Sequence, residues 1–272
     1  MEWLGWLCSG GTQPWSPSCV LVVAHPDDEI VGAGSRVARM KRSTIVYVTD
    51  GAPRNLYDAT AAGFTTAKAY SDARLKEAHA ALALAGIAPG QTRQLNFSDQ
   101  EASFRLSEIV ERVHSLLKEL EPDIVLTHPF EGGHPDHDST AFAVHAACRR
   151  LEEEGKKRPT IVEMAFYHRK GDRMEVGQFL PVENRGSSVG VHCAVLDSRE
   201  RVLKQQMFAC HASQADTLRS FSLETERFRL APDYDFLQPP HAGSPLYEWY
   251  DWGMTGARWR TLARAAETRL NQ

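Results

Sequence analysis

The chain has 272 residues, 42% of them hydrophobic and 24% charged, which is ordinary soluble-globular composition with enough apolar material for a sizeable core. Its formal net charge of −4 offers no general attraction to phosphate backbones or anionic lipid, and no run approaches the roughly 20 apolar residues that span a bilayer. Nucleic-acid and membrane partners are therefore not expected. The five cysteines (Cys8, Cys19, Cys148, Cys193 and Cys210) form no CxxC pair and no scaffold of disulfides, so a reducing, cytoplasmic setting is the expectation. A homo-oligomer is left open.

In chain order, residues 1–18 carry Trp3, Trp6 and Trp15 among glycines and prolines, without the basic and apolar regions of a signal peptide. They are expected to form an N-terminal arm beside a single domain of residues 19–272. The apolar run Val20–Ala24 reads as a buried parallel strand, followed by a loop and a crossover helix over Ile30–Arg42. Ser43–Gly51 reads as a second strand ending in a turn. Ser71–Ile87 reads as a helix with Ser71 as its cap and Gly86 as its stop. Thr92–Phe97 is a third strand. Leu106–Leu120 places Leu106, Ile109, Val110, Val113 and Leu117 on one helical face, and Pro122 ends it before the strand Asp123–Thr127.

Beyond this, Thr140–Leu151 reads as a helix, Thr160–Tyr167 and Ser188–Leu196 as strands, Arg199–His211 as a helix, Pro232–Pro245 as a surface loop, and Gly256–Leu270 as a closing helix. The alternation of strands and helices predicts an α/β fold with a mostly parallel sheet and a smaller antiparallel C-terminal addition.

Two clusters among the eleven histidines carry chemistry: His25-Pro26-Asp27-Asp28-Glu29 directly after the first strand, and His134-Pro135-Asp136-His137-Asp138 beyond the strand that ends near Thr127. Ligands in open α/β sheets collect at the carboxyl ends of strands, so the two loops can face one another across one crevice. A catalytic zinc takes three His or carboxylate ligands and keeps one position open for water. His25 and Asp28 can converge on one ion and His137 can supply the third ligand. Asp27 and His134 then remain as a base and as a group that stabilises an oxyanion or protonates a leaving amine. The plainer reading of either aspartate is a cap on the following helix. Two histidines and a carboxylate also suit Fe(II) or another divalent ion.

Ala24-His-Pro-Asp-Asp-Glu29, the Thr49-Asp-Gly51 turn and His134-Pro-Asp-His137 together resemble the LmbE/PIG-L family of zinc-dependent N-acetylglucosaminyl deacetylases. The resemblance runs over most of residues 20–215. It implies a Rossmann-like three-layer fold, one Zn²⁺, and hydrolysis of an N-acetyl amide on a small-molecule amino sugar or glycoconjugate to the free amine and acetate. It implies His25, Asp28 and His137 as metal ligands, Asp27 as general base, and His134, protonated, as the oxyanion-stabilising group. Asp136 is implied as the partner that orients His134. Arg74, in an Arg-x-x-Glu pair with Glu77, and His211, in the stretch His211-Ala-Ser-Gln214, are implied at the substrate. Gly132 stands where some sugar-thiol members carry a tyrosine. The alternatives are a zinc amidase for a non-sugar N-acyl substrate, a non-haem Fe(II) oxygenase and a non-catalytic sugar-binding module. The aromatic stretch with Trp249, Tyr250 and Trp252 is expected to pack rather than to meet substrate.

Overall fold

The computed structural model describes residues 2–9, 17–181, 190–250 and 252–272. Helix α1 (Glu2–Cys8) precedes an alternation of β1 (Cys19–Val23), α2 (Asp28–Val37), β2 (Ser43–Thr49), α3 (Tyr57–Ala61), α4 (Ala67–Leu84), β3 (Thr92–Phe97), α5 (Leu106–Leu120), β4 (Ile124–Thr127), α6 (Pro135–Glu153) and β5 (Thr160–Met164). A hairpin of β6 (Tyr167–Lys170) and β7 (Arg173–Val176) follows, then β8 (His192–Val195), α7 (Ser198–Cys210), α8 (Ala215–Leu218), β9 (Thr225–Leu230) and α9 (Gly256–Leu270). The main sheet has the order β3-β2-β1-β4-β5-β9-β8. Its first five strands run parallel, and β9 and β8 are added antiparallel at the β5 edge.

Period-two alternation along the buried strands divides the core between the two faces of the sheet. Val20, Val22, Val46 and Val48 point into one layer with residues of α5, α6 and α9, while Leu21, Val23, Ile45 and Tyr47 point into the other with residues of α1, α2, α4 and α7. The result is the expected three-layer sandwich. Helix α2 lies tight on the sheet because Gly32 has no side chain: a Cβ there would stand 2.8 Å from Met164 Sδ on β5.

Several elements depart from expectation for identifiable reasons. Helix α4 begins at Ala67 because Thr66 Oγ1 accepts the Ala69 N–H at 3.1 Å, so Thr66 and not Ser71 is the cap. Helix α6 begins at Pro135 rather than Thr140. His134 caps it through Nδ1, which accepts the Asp136 N–H at 3.1 Å, and proline suits the first helical position. The second histidine cluster therefore sits on the first turn of a helix. The N-terminal stretch expected as an arm opens with α1, whose Trp3, Leu4 and Leu7 are buried in the core. Trp15 and the Ser188 start of the expected strand lie outside the described residues.

Candidate metal centre and its pocket

The strand order reverses direction between β1 and β4, and both clusters leave the sheet at that point. Backbone and side-chain bonds stitch the strand ends together there. Thr49 Oγ1 donates to Ala24 O at 2.9 Å, Thr127 Oγ1 donates to Val22 O at 2.9 Å, and the Ala24 N–H donates to His128 Nε2 at 2.9 Å.

Asp28 is the hub. Its Oδ2 accepts the His25 N–H at 2.7 Å and lies 3.3 Å from His25 Nδ1, and its Oδ1 lies 3.3 Å from His137 Nε2. The predicted ligands His25, Asp28 and His137 thus meet, all nearly buried. Two residues without a motif join them. His128, just past β4, lies 3.4 Å from Asp28 Oδ2 through Nε2, and Asp99, past β3, lies 3.1 Å from His25 Nε2 through Oδ1. Donor atoms of His25, His134 and His137 lie within 4.8 Å of one another, as do those of Asp28, His128 and His137, and of His25, Asp99, His134 and Asp136.

The cluster's electrostatics suit a cation. Burial works against charge on His25, but Asp99, Asp136 and Asp28 outweigh it and raise its pKa well above the usual imidazole value. Burial likewise opposes ionisation of Asp28 and Asp99. His137 and His128 nevertheless hold Asp28 well below the carboxylate range, and His25 holds Asp99 low. Burial, reinforced by His128, pushes His137 down to about 4. His137 Nε2 is buried with only Asp28 Oδ1 beside it, at 3.3 Å and out of hydrogen-bond alignment, a costly arrangement unless something else takes its lone pair. A carboxylate-rich pocket with a neutral, unpartnered imidazole nitrogen fits a divalent metal, whose charge would take over from the His25 proton.

The other predicted residues are placed as follows. Asp27 Oδ2 accepts from Arg74 NH2 at 2.8 Å, and Arg74 NH1 donates to Gly51 O at 2.5 Å and lies 3.6 Å from Asp99 Oδ2. Arg74 therefore binds Asp27, not Glu77. Glu77 instead accepts from Ser213 N (3.0 Å) and Ser213 Oγ (2.6 Å), so the Arg-x-x-Glu and His-x-Ser-Gln stretches meet through it. His211 is fully buried with both ring nitrogens unpartnered, and the pocket wall is formed by its neighbours Ala212, Ser213 and Gln214. The Asp136 carboxylate lies 3.3 Å from His25 Nε2 and accepts the Gln100 and Ala102 N–H groups at 2.6 and 3.1 Å. Residue 136 orients His134 through its backbone N–H rather than the expected carboxylate.

Burial, with His25 and His137 nearby, lowers the His134 pKa well below the usual imidazole value, which favours the neutral ring. Because Nδ1 accepts the Asp136 N–H, the tautomer inferred from that bond carries its proton on Nε2. Trp252 faces the site instead of packing away from it: its ring lies 4.6 Å from that of His134 and lines the pocket. The pocket has a volume of about 720 Å³ and contains His25, Asp27, Asp28, His134 and His137 together.

Fold and site define a Rossmann-like α/β protein with a buried histidine–aspartate cluster at the switch point of its sheet, in the manner of a metal-dependent hydrolase. Residues 20–148, a little under half of the chain, match the PIG-L family, described as GlcNAc-PI de-N-acetylase. It is similar to a probable N-acetyl-alpha-D-glucosaminyl L-malate deacetylase 2 of Bacillus cereus, with 28% identity over 155 residues, 54% of this chain and 67% of that one. A 1D-myo-inositol 2-acetamido-2-deoxy-alpha-D-glucopyranoside deacetylase of Rhodococcus erythropolis is 32% identical over 156 residues, 47% of this chain and 53% of that one. The chain thus spans two thirds of the first relative and about half of the second. Among solved structures, a deacetylase of the teicoplanin biosynthesis pathway superposes with a TM-score of 0.59 at 17% identity, covering 80% of this chain and 99% of that one, which shows the shared fold. Among the described residues, no helix is long and apolar enough to cross a membrane.

Proposed function

We propose that this protein is a zinc-dependent N-deacetylase that hydrolyses the acetamido group of an N-acetylglucosamine conjugate to the free amine and acetate. The observation that carries the reading is the meeting, in one pocket, of a metal-type donor set with a separate carboxylate, Asp27, tied to Arg74. The deacetylase names of the relatives support the same substrate class.

Zinc held by His25, Asp28 and His137 would supply Lewis-acid polarisation of the acetyl carbonyl and a water of lowered pKa. The chain's own groups do the rest. Asp27 accepts a proton from the attacking water as the oxygen adds to the carbonyl carbon. His134 donates its Nε2–H to the developing oxyanion, and Trp252 beside it excludes solvent from that bond. When the C–N bond breaks, Asp27 returns the proton to the departing nitrogen. His134 needs no second proton in this sequence, in keeping with its neutral state. Arg74 holds the Asp27 carboxylate in place, and Asp136 and Asp99 fix the His25 ring.

The test sets acetate release from N-acetylglucosamine glycosides against release from N-acyl amino acids, with zinc bound in about one equivalent. Release from the sugars supports the reading. Release from the amino acids alone makes the protein an amidase of another class.

A further inference from the structure

The metal cluster occupies only the floor of the pocket, and the walls above it have a chemistry of their own. A volume of about 720 Å³ lies within the range, roughly 300–1,000 Å³, that holds a complete drug-sized ligand, so there is room beyond one sugar ring for whatever the sugar carries. Aromatic side chains from distant parts of the chain line the pocket: Tyr57, Phe64, Phe221 and Trp252. Trp252 is stacked on Tyr250, with ring centroids 4.5 Å apart and planes 13° from parallel, which stiffens it as a platform. Tyr57 lines the pocket while 77% exposed, so its ring is open to a bound ligand.

Charge in the upper pocket is of one sign. Asp58 lines the wall, and among the described residues no hydrogen bond or ion pair engages its carboxylate. Asp216 lines the rim and is paired only with the exposed Arg219, at 2.9 Å. Among the described residues, Arg74 is the only Lys or Arg of the lining. Both its terminal nitrogens are committed to Asp27, Gly51 and Asp99, and its Nε is sealed from solvent. Among the described lining residues an anionic group on the substrate would find no free cation and would face the Asp58 carboxylate, which no ion pair engages.

We propose that the part of the substrate joined to the amino sugar is uncharged and presents an apolar or aromatic face, held against Tyr57 and Trp252, and that Asp58 rejects anionic conjugates. This rests on the deacetylase reading of the same site. It separates the protein from its relative named for L-malate, whose conjugate brings two carboxylates.

The experiment measures acetate release by the full zinc-loaded chain from the methyl, 4-nitrophenyl and malyl glycosides of N-acetylglucosamine. The 4-nitrophenyl glycoside is expected to exceed the methyl glycoside about tenfold in kcat/KM, mainly through KM, and the malyl glycoside to fall below both. Trp252→Ala and Tyr57→Ala should each bring the 4-nitrophenyl-to-methyl ratio towards one. Asp58→Asn should raise the malyl-to-methyl ratio by about threefold or more. Tyr57 stands at the surface, so its variant tests the wall even if Trp252→Ala does not fold. A malyl glycoside turned over as well as the methyl one, or an aromatic preference untouched by both wall variants, overturns the inference while leaving the deacetylase reading intact. No acetate from any glycoside overturns that reading and the inference with it.

Discussion

Arg74 on α4 donates to Asp27 Oδ2 at 2.8 Å, and this bond ties α4 to the loop after β1. Arg74, expected at the substrate, lines the pocket and also holds the Asp27 carboxylate, with a second bond to Gly51 O at 2.5 Å. Arg74→Lys keeps a positive charge but cannot span both partners. The expected result is a fall in kcat of about 10- to 100-fold with KM and zinc content little changed, and partial rescue of Arg74→Ala by added guanidinium. Steady-state kinetics with metal analysis checks it.

Asp27→Asn removes the proton acceptor while keeping the shape of the side chain. Turnover should drop by about 10²- to 10⁴-fold with one zinc still bound. Near-normal turnover with zinc in place would assign the base elsewhere.

Gly51 has φ of +65°, and a Cβ there would lie 2.9 Å from both Arg74 NH1 and Pro26 Cδ. Gly51→Ala therefore carries backbone strain of about 1–2 kcal/mol and also pushes Arg74 away from Asp27. Both unfolding midpoint and kcat should fall. A variant that loses stability but keeps kcat would separate the turn from the site.

His145 on α6 is buried against the rings of Tyr234 and Phe236, its Nε2 has no hydrogen-bond partner, and burial pushes its pKa down to about 3. The unfolded chain takes up this proton near pH 6.5 and the folded chain only near 3, so the unfolded state binds more protons between those values. Stability from the neutral ring is complete above about pH 6.5 and is lost as pH falls, by at most about 1.4 kcal/mol per pH unit for one group. Urea unfolding at pH 7 and pH 5 should show a larger loss in the wild type than in His145→Gln. An equal loss would mean that His145 is not the group responsible.

Much of this structure was legible in the sequence because its signals were local. The bounds of β3, α5 and α9 follow from apolar periodicity and breakers alone, and His25, Asp28 and His137 follow from two dense clusters at strand ends. What escaped was set by tertiary placement. Asp99 and His128 are single polar residues just past β3 and β4. Only the strand order, with β4 beside β1, brings His128 to Asp28. The rule that ligands gather at strand ends would have flagged both had every strand terminus been searched. The Asp136 carboxylate turned from His134 to His25 because α6 starts at Pro135, which puts the backbone N–H of residue 136 in the capping position. Trp252 has no periodic context, and its place over His134 depends on how the segment before α9 folds back onto the site.

The most direct test of the central claim is to follow acetate and free amine together from a neutral N-acetylglucosamine glycoside, with metal-free protein titrated by zinc. The account predicts equal amounts of both products, no release in excess chelator, and full activity restored by about one equivalent of zinc. Acetate and amine formed at an undiminished rate by the chelated protein, or zinc bound at full occupancy without either product, would contradict it.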